Sequence, residues 1–129
     1  MADDRFCVFQ VGGGRYAIAA RQVEEVIEMP QVLRLPLGPP LLRGVFWWRG
    51  QAMPLLEARP AAERGASCRR ALVARTAGQG TTGQGLVAFA AESVDEALQP
   101  AGAAEAIRPD DFAAHLGAAL EESFGEQSG

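Results

Sequence analysis

The sequence has no lysine, no asparagine, one histidine, two cysteines and no apolar run of membrane-spanning length. Each shortage removes a class of function. General acid–base chemistry needs a histidine or carboxylate pair with converging partners, and His115 has none. Asp111, four residues earlier on the same face of a predicted helix, makes with it a plain surface pair. Cys7 and Cys68 lie 61 positions apart with no further ligand type nearby, which is not a metal spacing. They are read as two reduced, mostly buried thiols. The few serines and threonines scatter through loops without a nucleophile-elbow spacing. No catalytic, cofactor-binding or metal-binding residue is therefore assigned. Because MADDRF opens with two acids and no run approaches about 18 apolar residues, neither a signal peptide nor a span is expected. The expected location is cytoplasmic, without direct membrane contact.

What remains is a chain able to fold. Its 129 residues are 48% hydrophobic and 22% charged, enough for one domain, or for two small lobes sharing one body, and too apolar for wholesale disorder. All twelve basic residues are arginine, a coding bias of a GC-rich genome. The net charge of -4 conceals an asymmetry. Residues 1–91 hold eleven Arg against seven acids (+4), and residues 92–129 one Arg against nine acids (-8). Such a division suits internal attraction or two different partner surfaces.

FCVFQV (6–11) and RYAIAA (15–20) flank Gly12-Gly13-Gly14, a hairpin signal, and the first run is apolar at both parities, so both its faces are expected to be buried. In ARQVEEVIEM (20–29) Val23, Val26 and Ile27 fall at i, i+3 and i+4, which predicts one or two helical turns ended by Pro30. Residues 30–43 are proline-rich and irregular. GVFWW (44–48) and QAMPLLEA (51–58) flank the Arg49-Gly50 turn, with Pro54 marking an edge or a bulge. RRALVART (69–76) and GLVAFAAE (85–92) make a third hairpin around a flexible loop, 77–84. Near 109–124, Pro109, Asp110 and Asp111 open a helix whose stripe is Phe112, Leu116, Leu120 and Phe124. Strands do not alternate with long helices, so the fold class is mainly β and barrel-like.

Two motifs compete for attention. Residues 78–83 match G-x-G-x-x-G, but no helix opens behind them, so they read as a hairpin loop. Residues 34–75 hold eight Arg and two acids, with Trp47 and Trp48 between Arg43 and Arg49. This pattern is the alternative reading, a small β-barrel that stacks and neutralises single-stranded nucleic acid. One of two adjacent strand tryptophans must point inward, however, and the acidic tail opposes phosphate binding.

The most informative segment is LLRGVFWWRGQAMPLLEAR (41–59). It resembles the RGxxxxRGxxxPxxDLR signature of CheW-like domains, matched by Gly44, Arg49, Gly50, Pro54, Leu55, Leu56 and Arg59. Glu57 stands in the usual Asp place and Ala58 in the Leu place. Residues 6–36 are similar to the family's opening, including its Val-x-Glu-Val element. GLVAFAAESVDEAL (85–98) resembles a later family run, with Glu92 and Ala97 as departures. The resemblance covers roughly residues 6–98, taken as the CheW-like domain, and leaves 99–129 as an atypical acidic segment.

The resemblance implies two SH3-like β-barrel subdomains packed around a shared core, with no chemistry of their own. It implies an adaptor joining a chemoreceptor's cytoplasmic tip to the regulatory domain of a CheA-type histidine kinase, recruited to chemosensory clusters, with other CheW-like proteins as further partners. On the receptor side it points to Val23, Glu25, Val26, Arg49 and Gly50, and to Gly44, Pro54, Glu57 and Arg59 as structural signature residues. The competing account makes Val23 and Val26 core residues and Arg49 a solvated turn. After Leu98 the family continues with a further hairpin, where this chain has PAGAAEAIRP and a helix. Either the second barrel is incomplete or the helix covers its open edge. Receptor binding kept and kinase docking altered is the expectation.

Overall fold

Gly12 and Gly13, at φ 56° and 80°, close a two-residue turn whose twist matches that of paired strands. Across it β1 (Phe6–Val11) and β2 (Gly14–Ala19) pair antiparallel, from Phe6↔Ala19 to Val11↔Gly14. The structure, a computed structural model, describes residues 5–34, 40–58, 68–76 and 85–125; for residues 96 and 120–125 it describes the backbone only. After β2, one 3₁₀ turn (Ala20–Gln22) leads into β3 (Val23–Glu28). Then follow β4 (Leu42–Trp48), β5 (Gln51–Leu56), β6 (Arg70–Arg75), β7 (Leu86–Ala91), β8 (Ser93–Gln99), β9 (Glu105–Ala106) and α1 (Pro109–Gly125).

These strands form two sheets, of order β3-β6-β7-β5-β4 and β8-β1-β2-β9. Pairing is antiparallel except for two short parallel contacts, β5 with β7 and β2 with β9. The strands β6 and β7 explain their unbroken apolar runs by lying between two cores. Leu72, Ala74, Val87, Phe89 and Ala91 face a core shared by both sheets, while Ala71, Val73, Ala88 and Ala90 face the interior of the five-stranded unit with Phe46, Met53 and Leu55. As the parity of β1 predicts, Cys7, Phe9 and Val11 enter the shared core, and Val8 turns the other way, onto Ala17 and Ala104. That last cluster is small, so the four-stranded unit depends on the shared core.

The region 20–29 corrects the helix expected there: only Ala20–Gln22 is helical, as a single 3₁₀ turn, and Val23–Glu28 is a strand paired with β6. The cause is a bulge. Val23 opposes Ala74 and Glu25 opposes Val73, so one extra residue of β3 is absorbed between them. The insertion brings Val23 and Val26 to the same core, a spacing of three that imitates a helical period. Val23, Val26 and Ile27 are β-branched, and ladder pairing prevails over so short a helical pattern.

Pro54 lies on neither an edge strand nor a bulge of its own strand. The β4–β5 hairpin closes at Trp48↔Gln51, and Val45, opposite Pro54, exchanges both its main-chain hydrogen bonds with Leu33, at 2.8 and 2.9 Å. Val45 and Pro54 are therefore a non-hydrogen-bonded pair. On its other side β5 pairs with β7 only at Leu55 and Leu56, so the missing N–H of Pro54 costs no ladder bond.

Helix α1 forms where its sequence signals place it, with Pro109 at its start and Asp110 and Asp111 in its first turn. Of the expected stripe, Leu116 is 1% exposed and Phe112 packs edge-on against Phe89 with ring centroids 5.1 Å apart; the side chains of Leu120 and Phe124 lie outside the described ones. Ala113 and Ile107 complete the contact with the shared core. So α1 covers the core between the sheets, while the place beside β2 is taken by β9. The segments 60–67 and 77–84, including the G-x-G-x-x-G match, lie outside the described residues.

Candidate docking site

The Arg49-Gly50 turn has φ 51° and 80°, so a non-glycine residue occupies the left-handed region at its first position. That conformation costs an L-residue roughly 1–2 kcal/mol, which the surrounding hairpin imposes. Its consequence is a fixed projection of Arg49, whose side chain is 60% exposed. The guanidinium stacks over the Trp48 ring at 4.3 Å. Its Nη2 donates to Glu25 Oε1 at 2.5 Å, and Nη1 stands 4.0 Å from Glu24 Oε2. The bulge in β3 explains why two successive carboxylates, Glu24 and Glu25, both reach one arginine.

Of the residues singled out from the sequence, the fold thus joins Arg49, Gly50 and Glu25 into one corner. Val23 and Val26 stand beside it on β3, half-buried against the shared core. Glu57 lies elsewhere: its side chain, 12% exposed, accepts from Arg43 Nη1 at 3.1 Å, and its N–H donates to Leu41 at 3.0 Å. Gly44 lies beneath Val32 and the Leu33 carbonyl. Arg59 lies outside the described residues. Sequence reasoning missed Glu24, whose role depends on a bulge that no local pattern announces. It also missed Leu33, 68% exposed, which with Trp47, 75% exposed, and Val45 lines an apolar groove of about 540 Å³ beside the turn.

The tryptophans divide as adjacent strand positions must. Trp48 packs into the five-stranded unit and Trp47 faces out. With Trp48 covered by Arg49, and Arg43 engaged by Glu57 and by Cys68 Sγ at 3.4 Å, the stacking platform of the nucleic-acid reading shrinks to one indole. Among the described residues no group of His, Cys, Asp and Glu gathers to hold a metal ion. No helix of the described residues is long and apolar enough to cross a membrane.

Both thiols are raised above the ordinary value of 9.0. Burial is the main cause for each, helped at Cys7 by Asp95 and opposed at Cys68 by the neighbouring Arg43. The folded chain therefore holds these protons to higher pH than the unfolded chain does. Their contribution to stability is complete below pH 9.0 and is lost as pH rises through the folded values. Unfolding free energies from urea titrations are expected to fall more steeply as pH rises past 9.0 than in the Cys7→Ala/Cys68→Ala variant; parallel curves for the two proteins would contradict this.

Comparison with known proteins agrees with the architecture. The solved scaffolding protein TtCheW from Thermoanaerobacter tengcongensis superimposes with a TM-score of 0.62 at 20% identity, over 77% of this chain and 66% of that one. The chain therefore spans just under two-thirds of that structure's length. No curated protein matches the sequence. A model of the CheW-like domain matches residues 5–104, which takes in both sheets up to the approach to β9. The chain belongs to the CheW-like domain family.

Proposed function

We propose that this protein is a non-catalytic adaptor of a bacterial chemosensory pathway, linking a methyl-accepting chemoreceptor to a CheA-type histidine kinase. Membership of a family of scaffolds, matched over residues 5–104, supports the adaptor role, and in this reading residues 6–98 are the working domain. The observation that carries the receptor side is the corner itself: a signature arginine held at φ 51° and projected into solvent beside Glu25. A planar guanidinium fixed by a turn and an indole is well suited to a carboxylate on a helical hairpin. Val23, Val26 and Gly50 extend the same contact in this reading. The segment 99–129, where α1 replaces the usual hairpin, alters kinase docking. Localisation at receptor clusters would follow from these contacts.

Isothermal titration with a soluble cytoplasmic hairpin of a chemoreceptor tests the receptor side. Arg49→Glu is expected to raise Kd about tenfold or more, since it places like charge on both sides of the contact. Equal affinity in the variant and the native protein would remove Arg49 from the site. Titration with the kinase regulatory domain tests the other side, and tight, stoichiometric binding would contradict altered docking. The nucleic-acid alternative requires oligonucleotide binding that falls steeply with salt.

A further inference from the structure

The corner is tied to the terminal helix by a continuous polar chain. Glu24 bridges two arginines: its Oε1 accepts from Arg75 Nε at 2.5 Å, while its Oε2 stands 4.0 Å from Arg49 Nη1. Arg75 is the last residue of β6, and its Nη1 also donates to the Arg21 carbonyl at 3.5 Å. The side-chain amide of Gln22 has two N–H groups, and its Nε2 lies within reach of two acceptors. These are the Arg75 carbonyl at 3.5 Å and Asp110 Oδ2, in the first turn of α1, at 3.3 Å. Apart from Arg49, none of these residues belongs to the 41–59 signature.

We infer that Arg75 is a positioning residue that withholds Glu24 from Arg49, and that Gln22 makes this restraint depend on the seating of α1. The inference rests on the receptor-side reading of Arg49. Arg49 has two carboxylates within range, one close and one distant, which offers two arrangements: the observed one, and one in which both acids engage it. With Glu24 held by Arg75, the guanidinium is left to Glu25, with its remaining N–H groups free to meet a partner. Release of Glu24 lets both acids engage Arg49, which turns the fork inward and fills the donors that a partner carboxylate would use. A displacement of α1 loosens Gln22 and with it the Arg75 end of β6. Occupation of the helix by a second partner then lowers affinity at the corner. These are exposed pairs, individually worth little to stability, so the effect is one of orientation.

The experiment follows the Arg49 Nε–Hε cross-peak in ¹⁵N-labelled protein, together with affinity for the soluble chemoreceptor hairpin. Arg75→Met is expected to shift the cross-peak and raise Kd about 3- to 10-fold. Adding Glu24→Gln to Arg75→Met removes the competing charge, and is expected to return both readouts to within about twofold of Glu24→Gln alone. Gln22→Ala moves the cross-peak in the same direction by a smaller amount, and Glu28→Gln, further along β3, leaves it in place. A cross-peak unmoved by Arg75→Met overturns the positioning role, whatever the binding result. A peak moved by Arg75→Met and not by Gln22→Ala overturns the link to α1. If the cross-peaks behave as stated while Arg49→Glu leaves binding intact, the receptor-side reading fails and the positioning role stands.

Discussion

Leu116→Ala is expected to destabilise the protein by about 3 kcal/mol, the usual cost of removing a buried leucine and leaving a cavity. Leu116 is 1% exposed and belongs to the same core as Phe9, Ile18, Leu72 and Phe89, residues drawn from both sheets. A helix that merely rested on the surface would lose far less. Aromatic geometry argues the same way: Tyr16, Phe9, Phe89 and Phe112 form a chain of ring contacts at 5.6, 6.1 and 5.1 Å, which runs from β2 through β1 and β7 into α1. The small cluster of Val8, Ala17 and Ala104 gives the four-stranded unit little to stand on alone. Removing the helix's contribution therefore weakens both units together, as one cooperative transition. Guanidinium unfolding followed by tryptophan emission and by far-UV circular dichroism should give coincident curves, and thermal melts a Tm lower by about 10 °C. The exposed neighbour His115→Ala should stay within about 0.5 kcal/mol of the native protein. A Leu116→Ala loss below about 0.5 kcal/mol would show that α1 folds apart from the core.

Much of this arrangement was legible from parity and punctuation. The doubly apolar run of β1 announces a strand buried on both faces, the Gly12-Gly13 and Arg49-Gly50 turns announce their hairpins, and Pro109 with two acids announces α1. Legibility failed where an element's period was set by a distant strand. The spacing of Val23 and Val26 is that of a helix, and only pairing with β6 shows that one inserted residue produced it. The same insertion hid half of the Arg49 corner, because Glu24 and Glu25 converge on Arg49 only if the strand is bulged. The turn residue Arg49 could be singled out from its signature; its acid partners, 24 and 25 positions earlier, depend on which strand lies beside the hairpin. Pro54 likewise violates a rule of edge strands until the ladder shows that its N–H position has no partner to lose.

Gly44→Ala separates two effects of opposite sign. Gly44 lies in β4 without a positive φ, and an alanine that fits such a position ordinarily stabilises a protein by about 0.4–1 kcal/mol through the unfolded chain. Here a Cβ would collide with Val32 Cγ1 and approach the Leu33 carbonyl oxygen to 2.7 Å. The valine side chain can turn away. The carbonyl cannot, because Leu33 is fixed to Val45 by a reciprocal pair of main-chain hydrogen bonds at 2.9 and 2.8 Å. Relief therefore requires the 32–33 segment to lift from β4, which sacrifices that pair and opens the apolar groove beneath Trp47. Overpacking costs about 1–3 kcal/mol and the two hydrogen bonds about 1 kcal/mol each, against the gain of about 0.4–1 kcal/mol, so the net expectation is a loss of about 2–5 kcal/mol. Hydrogen exchange distinguishes this from general weakening, because the amides of Leu33 and Val45 should lose protection before those of β6 and β7. Val32→Ala in the Gly44→Ala background should recover only part of the loss, since it frees the side-chain collision and leaves the carbonyl in place. A stabilised Gly44→Ala protein would mean that the signature glycine is kept for some reason other than the crossing of these two segments.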